Sequence, residues 1–354
     1  MKWTTLLRTL LPLTLCAALL IPASAAGPLI APNPTSDTEE SESVDGQTKT
    51  TQPVSTCVWG SLTKLENGDL HLKNSVESDH SIHEIVIHPD EAAIVDAVTG
   101  AALALEDLQD GEMVYAYVST AMTKSLPPQA AAYVIVARIP ADFGVPSYYE
   151  ITDRTVISTL MTENNIIQAT FFTDQGTNLT LNLTDALDEE GNRQYILKDE
   201  VRLLSYPDGT EASFDLLIPG TRLLAWTDTE GKLSQVLVFP YEYSGYLAVL
   251  EGGSVVLNGQ VVELAALTDP AGQSFVPVRA VCESLGCTVT WDNTAKAMTI
   301  TQDEQVLFSY AAGADAAQVN GESVALSAPS LAQDGCAYLP GADLARLLHL
   351  YLAP

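Results

Sequence analysis

Over most of its length this chain alternates apolar and polar residues in short runs, the period of two that belongs to half-buried β-strands. Such runs fall at 58–65, 70–72, 85–88, 93–95, 113–118 and 133–136, and Asn67-Gly68 between the first two signals a hairpin turn. Residues 56–140 are therefore expected to form an all-β module of barrel or sandwich type, OB-like in size. Residues 148–243 repeat the plan. Leu108, Gly111, Val114 and Tyr117 recur 109 positions later as Leu217, Gly220, Leu223 and Trp226, and 133–136 matches 235–238 after a shorter connection. Residues 141–147 read as the link between the copies.

Near the C-terminus the period changes. Val278, Val281, Cys282 and Leu285 stand at i, i+3, i+4 and i+7, one face of a short helix, with Pro277 suited to its first position and Gly286 to its exit. Cys287, Val289 and Trp291 then alternate with polar residues as a strand, Asp292-Asn293 turns, and 296–300 returns. This module, 246–354, is itself doubled. Residues 256–264 match 318–326 at an offset of 62, with Asn258-Gly259 and Asn320-Gly321 each at a type I′ turn, and Val276-Pro277 matches Leu339-Pro340 at an offset of 63. Leu344, Leu347, Leu348 and Tyr351 are expected to supply the second helical stripe. The sequence reaches Pro354 before any match to the strand at 288–291. The expectation is a multidomain, mostly β chain: two related β modules, then an α+β module of two short helices on an antiparallel sheet.

The residues 257–264, 275–279, Leu285-Gly286 and 289–292 together resemble the copper amine oxidase N-terminal-like domain, which is common in secreted proteins of Gram-positive bacteria. The resemblance covers about the last third of the chain. It implies a fold and a habitat, and no reaction. Copper chemistry does not come with it: copper amine oxidases hold their metal through a His-x-His pair and a third histidine beside a quinone formed from an Asn-Tyr tyrosine. This chain has no His-x-His and no Asn-Tyr, and the resembling part contains only His349.

The N-terminus changes the picture by fixing an expected compartment. Lys2 and Arg8, the apolar run 10–21 and the small residues Ala23, Ser24 and Ala25 read as a signal peptide over 1–25, too short for a bilayer span. Residues 26–55, rich in Pro, Ser, Thr and acids, read as a disordered acidic tether. A soluble exported chain is expected. After cleavage 14 Lys and Arg face 45 Asp and Glu, a balance that disfavours nucleic acid and anionic membrane as partners. Cys57, Cys282, Cys287 and Cys336 remain, either oxidised in an exporting compartment or buried as thiols; the spacing is not that of a zinc site.

Candidate chemistry is sparse. His71, His80, His83 and His88 lie in the first module, but His83 and His88 differ by an odd number and face opposite sides of a strand, so surface positions are expected in place of a metal site. His83-Glu84 with His88 lacks the spacing and the helix of a zincin. There is no Gly-x-Ser-x-Gly, no Cys–His frame, no phosphate-binding glycine loop and no EF-hand. The stretch 120–129 reads as a crossover held extended by Pro127-Pro128, with a recognition loop as its sharper alternative. These features favour a non-catalytic exported cell-envelope protein for surface display, adhesion or scaffolding, with an unknown cell-wall or extracellular partner and no cofactor. The alternatives are a secreted hydrolase with a carboxylate pair between the β modules and a metal-binding protein using the first module's histidines.

Overall fold

The structure, a computed structural model, describes residues 55–75, 82–141, 143–161, 164–187, 193–228 and 232–354. The expected signal peptide, the tether up to Val54 and His80 lie outside them. Among the described residues no helix is long and apolar enough to cross a membrane.

The first six strands are β1 (Ser55–Lys64), β2 (Leu70–Lys73), β3 (Glu84–His88), β4 (Ala93–Asp96), β5 (Met113–Ser119) and β6 (Gln129–Ala137). They follow the order β3-β2-β1-β5-β6-β4, and β3 also pairs with β6 in parallel, closing a five-stranded barrel with β4 outside the ring. Alternation turns Val58, Leu62, Leu70, Leu72, Ile85 and Ile87 into its interior. Closure leaves the ring without a free edge.

The next eight strands are β7 (Ser147–Met161), β8 (Asn164–Thr173), β9 (Asn178–Leu187), β10 (Arg193–Leu197), β11 (Arg202–Ser205), β12 (Thr210–Glu211), β13 (Arg222–Thr227) and β14 (Leu233–Val238). The duplication runs deeper than the matched residues. Strands β4 and β11, and the 3-10 turns Leu105–Asp107 and Phe214–Leu216, are all 109 positions apart. Gly111 and Gly220 share φ near +90°, and Gly100 and Gly209 are also both left-handed.

Two details depart from the sequence reading. Ile94 faces Ile135 across β4 and β6, and Leu203 faces Val236 across β11 and β14, so β6 maps onto β14 with Val134 at Gln235, one residue from the expected alignment. The observed register keeps Ile135 and Val236 inside their own modules and puts Val136 and Leu237 together on a shared face. The second copy is also an open half-barrel, in the order β10-β9-β8-β7-β13-β14-β11-β12. In the first copy Gln129, Ala130 and Ala131 extend β6 to reach β3. In the second copy β14 begins at Leu233, and among the described residues it makes no pairing with β10.

The two copies meet through corresponding positions. Val95, Tyr117 and Val136 from the first join Leu204, Trp226 and Leu237 from the second in one buried cluster. Ala101 also bridges to Asp208. The arrangement resembles an isologous interface, in which one surface meets its own equivalent.

The remaining strands are β15 (Tyr246–Val249), β16 (Val255–Leu257), β17 (Gln260–Val261), β18 (Leu267–Thr268), β19 (Ser274–Pro277), β20 (Thr288–Asp292), β21 (Ala297–Gln302), β22 (Gln305–Ala311), β23 (Ala316–Val319), β24 (Glu322–Ala325), β25 (Leu331–Gln333), β26 (Cys336–Pro340) and β27 (Tyr351–Leu352). With α1 (Val278–Ser284) and α2 (Gly341–Leu347), they form three sheets around one core that contains Val278, Val281, Cys282 and Leu344. Asn258-Gly259 and Asn320-Gly321 have the positive φ pairs a type I′ turn needs.

Pro277 precedes the first helical residue as the N-cap, and Pro340 does the same for α2. Helix α1 leaves through Gly286, with Cys287 N–H donating to Cys282 O at 2.9 Å, the hydrogen bond of a Schellman end. Tyr351 is not part of a helical stripe. It lies on β27, 63 positions after Thr288, so the second copy does contain the start of the strand the sequence reading found missing.

Candidate functional site

The strand alternation that builds the C-terminal core also builds a groove on its surface. Val289, Ile300 and Phe308 are cross-strand partners on β20, β21 and β22 and lie in the core. Two residues along on the same face, Trp291, Met298 and Tyr310 form the next row. That second row lines a groove of about 860 Å³ between α1, the β25–β26 hairpin and residues 262–264. Met298 and Tyr310 are buried, whereas Trp291 is 38% exposed. Leu264 and Leu331 add exposed apolar surface to its lining.

The polar groups of the groove are largely committed to one another. Arg279 Nη1 is 2.9 Å from Glu283 Oε1, one turn along α1, and also donates to Val289 O at 3.1 Å. Trp291 Nε1 donates to Asn293 Oδ1 at 3.1 Å. Outside the lining, in the turn after Trp291, Asp292 Oδ1 accepts from the N–H groups of Ala295 and Thr294, and these bonds hold its carboxyl below the usual carboxylate range. Cys336 is a half-exposed thiol in the wall. The concavity is suited to binding. Its lining includes no histidine and no base beside Cys336 that would make it a nucleophile.

A second, smaller concavity of about 300 Å³ lies where β7 and β13 of the second module meet Ser55 and Tyr133 of the first and Tyr351 and Leu352 of the last. It contains Glu150 and Asp174, brought together where β7 meets the end of β8. Glu150 N–H donates to Asp174 Oδ1 at 2.9 Å, and Asp174 N–H returns a bond to Glu150 O at 3.0 Å. Arg222 Nε lies 3.5 Å from Glu150 Oε2 and its Nη1 lies 3.3 Å from Glu242. Burial pushes the Glu150 carboxyl above its ordinary range, against the opposing effects of Tyr351 and Arg222. Burial does the same to Asp174, against backbone N–H groups. Both acids are shifted the same way, unlike the divided environments of a general acid and its charged partner.

The residues singled out in the sequence are dispersed. His71 Nε2 pairs with Glu84 at 2.9 Å and His88 Nδ1 with Asp69 at 2.8 Å, while His83 receives Asn74 N–H at its carbonyl. His80 lies outside the described residues. Among those described, no three His, Cys, Asp or Glu side chains gather as a metal site. Cys57, Cys282, Cys287 and Cys336 are free thiols; Cys282 and Cys287 are buried in the C-terminal core, where burial pushes the Cys282 thiol up to about 12. In the 120–129 stretch, Pro128 O accepts Val86 N–H at 2.9 Å, so the crossover participates in barrel closure.

The residues of neither concavity form a motif in the sequence. Trp291 shares strand parity with Val289 and so looked like core; only its place at the end of the strand, just before the turn, separates it. Glu150 and Asp174 are 24 positions apart and fit no motif.

Residues 256–351 match the copper amine oxidase N-terminal domain. The span contains both C-terminal helices and every residue that lines the groove. That domain is a non-catalytic accessory domain of the oxidases. No curated protein matches the chain. The residues present do not fit copper: His349 is the one histidine of the matched span, and its ring packs 5.7 Å from that of Tyr243.

Proposed function

We propose that this chain is a non-catalytic exported protein of the cell envelope, serving surface display, adhesion or scaffolding, with the C-terminal groove as its contact surface. The observation that carries the reading is the exposed Trp291 at the end of the row it forms with the buried Met298 and Tyr310, beside the Arg279–Glu283 ion pair. An exposed aromatic anchor in a concave apolar setting is the usual centre of a recognition surface. The N-terminal pattern of Lys2, Arg8 and the 10–21 run supports export. Expression of the full chain in its own cell, followed by fractionation and intact-mass measurement, tests this. The mature chain is expected to begin at Ala26 and to sediment with the envelope, and the Trp291→Ala variant to wash off more readily. Unprocessed protein retained in the cytoplasm sinks the reading.

The placement of Glu150 and Asp174 side by side in the junction concavity is what favours a second reading, a secreted hydrolase, against which their parallel shifts weigh. It requires glycan or peptide hydrolysis by the wild type that Glu150→Gln or Asp174→Asn abolishes without unfolding the chain.

A further inference from the structure

We propose that the C-terminal groove binds an uncharged glycan strand, a sugar ring stacking on Trp291 and its hydroxyls meeting Arg279 and Glu283. The proposal rests on the reading of the groove as the contact surface and names the chemistry of the occupant.

Three observations point to a sugar. First, the Trp291 N–H is already donated to Asn293, which leaves the ring face as what the indole offers a ligand. Stacking on that face suits a ring whose C–H surface is apolar and whose edge is polar. Second, Arg279 and Glu283 form a planar, paired donor and acceptor set on the groove wall, with guanidinium N–H groups beyond those used on Glu283 and Val289. Third, the charge balance disfavours a polyanion. Arg279 is neutralised by Glu283, Glu263 adds a negative charge, and the whole chain carries a formal charge of −29. The groove volume of about 860 Å³ has room for more than one ring.

An added peptide strand fits less well. Strand β20 ends its sheet, but Val289 O on it already accepts from Arg279. The other edge at the groove, β25, is three residues long and offers few backbone groups.

The test titrates the full mature chain with two uncharged probes, chitohexaose and cellohexaose, read by tryptophan fluorescence and calorimetry. At least one is expected to bind with a Kd of about 1 mM or tighter. Trp291→Ala is expected to weaken that binding at least about tenfold, and Trp291→Phe, which keeps an aromatic face, to retain it within about threefold. Arg279→Ala is expected to weaken it without changing thermal unfolding by more than a surface substitution does. No binding of either probe at about 10 mM, or binding that survives Trp291→Ala, overturns the proposal. Envelope association without hexasaccharide binding, abolished by protease treatment of the envelopes, also overturns it and leaves the envelope reading standing. Absence of envelope association removes both.

Discussion

Gln235 donates from its side-chain amide to the carbonyl of Ala97, 3.1 Å away, and this single bond crosses 138 positions to join the second β module to the first. Gln235 is 2% exposed, and its Oε1 accepts from Arg202 Nη1 at 2.9 Å. Its counterpart in the first copy is Val134, and that of Arg202, which donates to Val98 O at 3.0 Å, is Ala93, so these polar contacts have no equivalents across the interface. Replacing Gln235 with Leu leaves a buried carbonyl and a guanidinium short of partners, at a cost of about 1–3 kcal/mol. Chemical denaturation measures it. An unchanged midpoint would show that the bond contributes nothing.

Gly111 and Gly220 occupy the same turn in the two copies and have φ of +89° and +90°. A side chain at either is strained by about 1–2 kcal/mol. Only Gly220 is also crowded: an added Cβ would lie 2.7 Å from Cγ and 2.9 Å from Cβ of Tyr351, whereas nothing comes within 4 Å at Gly111. Overpacking adds about 1–3 kcal/mol, so Gly220→Ala is expected to exceed Gly111→Ala by that amount. Thermal unfolding of the two variants decides it; equal shifts would mean that Tyr351 yields freely.

The elements that were legible in the sequence are those with a single buried face. The stripe of Val278, Val281 and Cys282 has one side toward the core, and Asn-Gly at 258 and 320 meets a backbone demand few residues satisfy. The β6 run was misaligned because it has two: Ile135 points into the barrel while Val134 and Val136 face the other module. A run apolar on both sides carries no period by which to set register. Tyr351 was misassigned because β27 begins one turn past α2, where a helical stripe would continue. The groove was hidden for a related reason, since alternation says which face a residue takes and not how far along that face the covering helix reaches.

Stability should depend on pH through Glu150. Burial raises its carboxyl pKa in the folded chain above the unfolded value. The stabilisation from the protonated form is therefore fully present below the unfolded pKa, near 4.5, and lost as pH rises through the higher folded value. Glu150→Gln keeps an acceptor for Tyr351 and removes that titration. The difference in stability between variant and wild type is expected to move in the variant's favour as pH rises from about 4 toward 7. Urea unfolding across that window measures it, and a pH-independent difference would contradict the shift. Asp96 works in the opposite direction. Burial opposes its ionisation, but bonds from Thr99, Val98 and Arg138 prevail and hold it below the ordinary value, so its contribution is lost as acid is added.

Why one copy closes and the other stays open is itself testable. In the first, the chain from Thr120 to Pro128 travels far enough for Gln129, Ala130 and Ala131 to lie beside Val86, Ile87 and His88. Thr123 fastens the base of that crossover, its N–H donating to Gln129 O at 3.0 Å and its Oγ1 accepting Gln129 N–H at 2.9 Å. In the second copy only five residues, 228–232, separate β13 from β14, and among the described residues β14 makes no pairing with β10. Shortening 120–128 to five residues should therefore convert the first barrel into a half-barrel like its partner. The loss of the three residue pairs between β3 and β6, at about 1 kcal/mol each, predicts a destabilisation of about 2–4 kcal/mol. The specific readout is hydrogen exchange at Val86, whose N–H donates to Pro128 O in the native chain. Its protection should collapse while that of Leu237 in the inter-module cluster persists. Undiminished protection at Val86 would show that β3 and β6 close the barrel without the crossover's length.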